Sequence, residues 1–285
     1  MHLEISGNNM TIHVYSDSFG ENYEPGTWPF ELEKLQNQEV ICNGQGGTGP
    51  NWSLRKLITH LEDPSSRLTY APEHQDTIIV LLSDQKRMEF PWLEKDGHAD
   101  GQFLLAENMP LPDTLPSRFA NPERGRQYKN YKSEIKAVAN TLGPMYLYEN
   151  VKNITFLHLL SKQFKKYNFL VFTCFSLDHF TSKYKNFNIK STKLLHDLDF
   201  EYLNTYNFYY VSTPISYMVG KYHGPPKDVL DNHMTVEQNE KFALFCSDIL
   251  NKEEPDSSWF VYTAYDDPFA EHQGSEPPPP MFIYE

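Results

Sequence analysis

Four clusters of hydroxyl, carboxamide, carboxylate and imidazole groups stand where apolar runs stop in this sequence of 285 residues. Ser16-Asp17-Ser18-Phe19-Gly20 ends the run that opens at Thr11, and Asn43 with glycines at 44, 46, 47 and 49 follows Glu39 to Cys42. Ser83-Asp84-Gln85 follows Thr77 to Leu82, and Asp231-Asn232-His233 precedes the last amphipathic segment. Together they hold the parts of nucleophilic acyl transfer. A serine hydroxyl becomes a nucleophile at neutral pH when an imidazole takes its proton, a carboxylate orients that imidazole, and backbone amides hold the developing oxyanion. Ser18 is the leading candidate for the nucleophile. Read on its own decapeptide, Ser16 to Ser18 favours the chemistry of a turn or a helix cap.

The elements that must position these groups follow from periodicity. Ile12 and Val14 mark a first strand, Trp28-Pro29 with Phe30, Leu32 and Leu35 a helix with proline in its first turn, and Glu39 to Cys42 a second strand. Leu54, Leu57, Ile58 and Leu61 recur at i, i+3, i+4 and i+7 and predict an amphipathic helix. Thr77 to Leu82 is apolar enough for a central parallel strand buried on both faces, and Phe169 to Phe175 and Phe208 to Ser212 read as the fourth and fifth. Helical spacing runs through Ile135, Val138, Ala139 and Leu142, breaks at Gly143-Pro144, and resumes through Leu147, Val151, Ile154 and Phe164. Thr235 and Gln238 fit a capping box ahead of Phe242, Phe245, Cys246 and Ile249.

Strands alternating with helices predict an α/β fold, a three-layer α/β/α sandwich around a mostly parallel, flavodoxin-like five-stranded sheet. In such a sheet ligands sit beyond the C-terminal strand ends, where all four clusters fall. Prolines at 91, 110, 112, 116 and 122 and a loss of periodicity mark an irregular insertion at about 88–127. One domain over residues 1–252 and an extension over 253–285 are expected. That extension holds a strand-like run from Trp259 to Tyr265 and Pro277 to Pro280, suited to docking on a protein partner.

Composition narrows the function. With 39% hydrophobic residues the chain can bury a sizeable core, and a formal charge of −13 argues against nucleic acid or an anionic membrane surface as a partner. Cys42, Cys174 and Cys246 lie far apart within apolar runs and read as small core residues. No basic segment followed by an apolar core opens the sequence, and no apolar stretch approaches the ~18 residues of a membrane span. The expectation is a cytoplasmic or virion-associated protein.

The clusters resemble the sequence blocks of the SGNH, or GDSL-type, hydrolase family. Its Gly-Asp-Ser block is matched by Ser16-Asp17-Ser18, with serine in place of the leading glycine. Asn43 and the glycine cluster match in kind the second block, whose glycine amide serves the oxyanion, here taken as Gly47. The third block, Gly-x-Asn-Asp, becomes Ser83-Asp84-Gln85-Lys86, in which Gln85 keeps a carboxamide donor. The last block, Asp-x-x-His, is shortened to Asp231-Asn232-His233, with Asp228 as a second carboxylate nearby. The resemblance covers residues 11 to 86 and 207 to 250. It implies a serine esterase with Ser18 as nucleophile, His233 as base and Asp231 as orienter, an oxyanion hole from Ser18, Gly47 and Gln85, and no cofactor or metal. It implies ester substrates such as acetyl groups on carbohydrate, and its ragged blocks resemble divergent members carried by bacterial viruses.

Other readings of the same residues remain open at this point. The glycine loop fits a phosphate cradle, although it lacks the Gly-Lys-Ser/Thr ending of a P-loop. Asp17, Asp84 and His233 fit a metal-dependent phosphoesterase. A binding or structural protein that keeps the fold without activity accounts for the altered third block and the shortened Asp-His spacing.

Overall fold

A computed structural model describes residues 10–17, 19–45, 48–63, 76–83, 87–89, 102–104, 146–174, 204–211, 213–215, 218 and 234–260, with backbone alone at 87–89, 102–104 and 146–150. The described elements run β1 (Thr11–Tyr15), α1 (Trp28–Gln36), β2 (Glu39–Cys42), α2 (Pro50–Glu62), β3 (Thr77–Leu82), β4 (Arg87–Glu89), β5 (Gln102–Leu104), α3 (Tyr146–Gln163), β6 (Asn168–Thr173), β7 (Phe208–Val211) and α4 (Val236–Leu250). Five of the strands form a sheet in the order β2-β1-β3-β6-β7, and every neighbouring pair is parallel. Counted along this sheet alone, the order is 2-1-3-4-5, the flavodoxin-like arrangement.

Side-chain alternation on β1 divides the core into two layers. Ile12 and Val14 join Trp28, Leu32, Phe242, Phe245 and Cys246, so α1 and α4 cover one face. Tyr15 joins Leu54, Leu57, Leu61, Ile154, Leu157 and Leu160, so α2 and α3 cover the other. The result is a three-layer α/β/α sandwich. All six residues of β3 are buried, as a central strand covered on both faces requires. The α4 helix starts with the expected capping box: Thr235 accepts from the Gln238 N–H at 3.2 Å and Gln238 Oε1 accepts from the Thr235 N–H at 2.8 Å.

The structure differs from the sequence expectations at three places. Strand β6 ends at Thr173, with Cys174 in a bend, earlier than the expected Phe175, whereas β7 runs to Val211 and Ser212 lies outside the described residues. The segment read as an irregular insertion contains β5, which pairs antiparallel with β4 through Arg87↔Leu104 and Glu89↔Gln102. Strands of three residues are too short to show a period. Trp259 and Phe260 belong to a turn, not a strand, with the Phe260 N–H donating to the Ser257 carbonyl at 3.1 Å. Their rings meet each other at 4.9 Å and Phe260 meets Phe245 at 5.3 Å, so packing against α4 accounts for these two residues, while the rest of the run, 261–265, lies outside the described residues. The chain therefore packs on the domain as far as Phe260, within the expected extension. The helix expected over Ile135 to Leu142, the segment 175–203 and the proline run at 277–280 lie outside the described residues.

Candidate functional site

Parallel pairing of β2, β1 and β3 brings the loops that follow them side by side. The β1–β2 ladder continues past the strand ends, with the Asn43 N–H donating to the Val14 carbonyl at 2.7 Å and the Gln45 N–H to the Ser16 carbonyl at 3.2 Å. Thr48 closes the next turn by donating its N–H and its hydroxyl to the Gln45 carbonyl. This fixes the first part of the glycine loop against the residues leaving β1.

Ser16 and Asp17 leave β1 completely buried. The Gly20 N–H donates to the Asp17 carbonyl at 3.2 Å and closes a tight turn. One carboxylate oxygen of Asp17 accepts the Phe19 N–H at 3.1 Å, and the other accepts the Ser83 hydroxyl at 2.5 Å. A buried carboxylate needs such donors, and here they come from the turn itself and from the end of β3. Asp17 thus joins the loops after two strands. These contacts give Asp17 a structural role within the turn, as aspartates that bond to nearby backbone amides commonly have.

Ser16 explains the departure from a leading glycine in its motif. Its hydroxyl donates to the Asp17 carbonyl at 3.0 Å and occupies the space beside Gly20 and Gly44. A Cβ at Gly20 would lie 2.6 Å from Ser16 Oγ, and one at Gly44 2.7 Å. The room that a glycine at 16 would leave is filled by its hydroxymethyl, and the two neighbouring glycines accommodate it.

A second set of hydrogen bonds crosses from the β1 turn to the last helix. The indole N–H of Trp28 donates to the Phe19 carbonyl at 2.6 Å, and the backbone N–H of Trp28 donates to Asn239 Oδ1 at 2.9 Å. The Asn239 amide donates in turn to the carbonyls of Met234 and Thr235, at 3.2 and 3.0 Å. Phe19 follows Ser18 in the chain and Met234 follows His233. Trp28 was legible only as a helix start, and Asn239 carried no signal beyond lying one turn inside the capped helix.

Ser18, Gly47, Gln85, Asp231 and His233 lie outside the described residues, as do Asp84, Asp228 and Asn232. Among the described residues, the structure brings together Ser16, Asp17, Phe19, Asn43, Gly44 and Ser83 at the ends of β1, β2 and β3. Cys42 and Cys246 are poor nucleophiles. Burial, reinforced by Glu33, pushes the Cys42 thiol up to about 12, and burial raises Cys246 well above the ordinary thiol value. No group of three or more His, Cys, Asp or Glu side chains suited to a metal ion occurs among the described residues. His60 meets the Tyr15 hydroxyl at 2.9 Å, and His158 packs edge-on against Phe208, so both serve the α2 and α3 side of the core. No helix among the described residues is long and apolar enough to cross a membrane.

No protein-family model matches the sequence, and no curated protein matches it. Among solved structures the chain is similar to a carbohydrate esterase, at 12% identity over 88% of this chain and 68% of that one, with a TM-score of 0.41. It is also similar to an acetyl xylan esterase from the rumen bacterium Butyrivibrio proteoclasticus, at 14% identity over 85% and 64%, with a TM-score of 0.37. A third is a protein assigned to the G-D-S-L lipolytic family from Desulfitobacterium hafniense, at 12% identity over 85% and 99%, with a TM-score of 0.32. The fold assignment stands on the strand order and the two helical layers. None of these likenesses supports the viral character expected from the ragged blocks.

Proposed function

We propose that the protein is a serine esterase, with Ser18 as nucleophile, His233 as base and Asp231 as the carboxylate that orients it. The observation that supports this best is the run of hydrogen bonds from Phe19 through Trp28 and Asn239 to Met234. It ties the residue after Ser18 to the residue after His233, two positions more than 200 apart in sequence. Nucleophile and base must come within about 3.5 Å for proton transfer, and a strut between their chain neighbours serves that requirement.

In the proposed reaction His233 takes the Ser18 proton as the hydroxyl oxygen attacks the acyl carbonyl. The oxyanion that forms is held by the amides of Ser18 and Gly47, with Gln85 donating from the third loop. Collapse expels the alcohol, which receives the proton from His233, and water then releases the acid by the same sequence reversed. Nothing in this cycle needs a cofactor. Two of the similar structures are described as a carbohydrate esterase and an acetyl xylan esterase, which makes acetylated carbohydrate the first substrate class to try.

Hydrolysis of p-nitrophenyl acetate tests the reading. Wild type is expected to turn over, with Ser18→Ala and His233→Ala each reduced to background and no effect of a chelator. Turnover that survives Ser18→Ala and disappears with chelator would instead favour the metal-dependent alternative.

A further inference from the structure

We infer that Ser83 is a positioning residue for the turn that carries Ser18, acting through Asp17. The inference rests on the reading of Ser18 as nucleophile. Ser83 stands first in the block that resembles Gly-x-Asn-Asp, where the motif has no side chain at all. Here the added hydroxyl is buried, only 1% exposed, and donates to Asp17 Oδ2. The same carboxylate receives the Phe19 N–H through Oδ1.

The Asp17 side chain has two soft torsions, and rotation about the second would swing Oδ1 away from the Phe19 amide. A donor held on the other oxygen by the end of β3 opposes that rotation. Ser83 itself is placed by the sheet, since it follows a strand paired on both sides, with β1 and with β6. The β3 end is therefore the fixed point, Asp17 the link and the Phe19 amide the part that is held. The role inferred for Ser83 is exerted through Asp17, on where the turn presents its hydroxyl. A misplacement of about 1 Å in a nucleophile costs on the order of 100-fold in rate.

The experiment compares wild type, Ser83→Ala, Asp17→Asn, the double variant and Ser83→Thr, all held well below their unfolding midpoints. The first readout is the second-order rate constant for labelling of Ser18 by a fluorophosphonate, followed by intact mass. The second is amide hydrogen exchange at Phe19. Ser83→Ala is expected to label about 10- to 100-fold more slowly while remaining folded by circular dichroism, with faster exchange at Phe19. Ser83→Thr, which keeps the hydroxyl, is expected to recover most of the rate. The double variant should label no more slowly than Asp17→Asn, because both changes break one link.

Labelling of Ser83→Ala at the wild-type rate, or additive defects in the double variant, would overturn the inference. Absence of labelling in wild type would overturn the reading of Ser18. The link itself is then decided by the exchange data, where unchanged protection of Phe19 in Ser83→Ala refutes it.

Discussion

The backbone N–H of Trp28 donates to Asn239 Oδ1 at 2.9 Å across 211 positions of sequence. The first N–H groups of a helix have no partner within it, and Thr27, the residue preceding α1, makes no side-chain cap. Asn239 supplies that cap from α4. Asn239→Ala removes the acceptor from Trp28 and the donors from the Met234 and Thr235 carbonyls. It is expected to lower stability by about 1–3 kcal/mol, read as an earlier urea midpoint at unchanged slope. Asn239→Asp keeps the acceptor and should fall between.

Gly20 and Gly44 flank Ser16 on different terms, and the difference predicts two outcomes. A Cβ at Gly20 meets mainly side chains, Ser16 Oγ at 2.6 Å and Val14 Cγ1 at 2.9 Å, whereas one at Gly44 also meets the Glu21 backbone at 2.9 Å. Each alanine substitution is expected to cost about 1–3 kcal/mol through overpacking. Adding Ser16→Gly should recover a good part of the loss in Gly20→Ala and little in Gly44→Ala. Thermal midpoints of the two singles and two doubles check this; equal recovery in both would contradict it.

Burial lowers the His60 imidazole below its ordinary 6.5, Lys56 and His13 lower it further, and Asp63 opposes them. Burial also raises the Tyr15 phenol above its ordinary value, so its O–H persists beside neutral His60, with which it shares a hydrogen bond at Nδ1. The unfolded chain then binds the proton more readily than the folded one. This contribution to stability is complete above pH 6.5 and is lost as pH falls from there toward the lowered folded value. Titration of the His60 Cε1 proton by NMR should give a midpoint below that of an exposed histidine, and Lys56→Gln should raise it.

How far the sequence reveals this protein depends on whether a signal is local. Thr77–Leu82 was readable because a strand buried on both faces is apolar throughout, and α4 because Thr235 and Gln238 form a cap within four residues. The sheet order followed from the alternation of such elements. Contacts between elements left no trace. Nothing near Asn239 points to Trp28, and Ser83 read as a damaged glycine position, although its hydroxyl meets a carboxylate 66 positions away. Trp259 and Phe260 read as the start of a strand because rings that pack on a helix from a turn have the same composition as one. Asp17 and Phe19, the chain neighbours of Ser18, are described, whereas the roles proposed for Ser18, His233 and Asp231 rest on the sequence blocks and the strut from Phe19 to Met234.

The most direct test of the central claim is the site at which a serine-reactive fluorophosphonate adds to the folded protein, mapped by peptide mass. The esterase account predicts one adduct, on Ser18, that disappears in Ser18→Ala and is strongly slowed in His233→Ala. A folded protein that takes no label and hydrolyses no p-nitrophenyl acetate, or one labelled as well after Ser18→Ala as before, would contradict it.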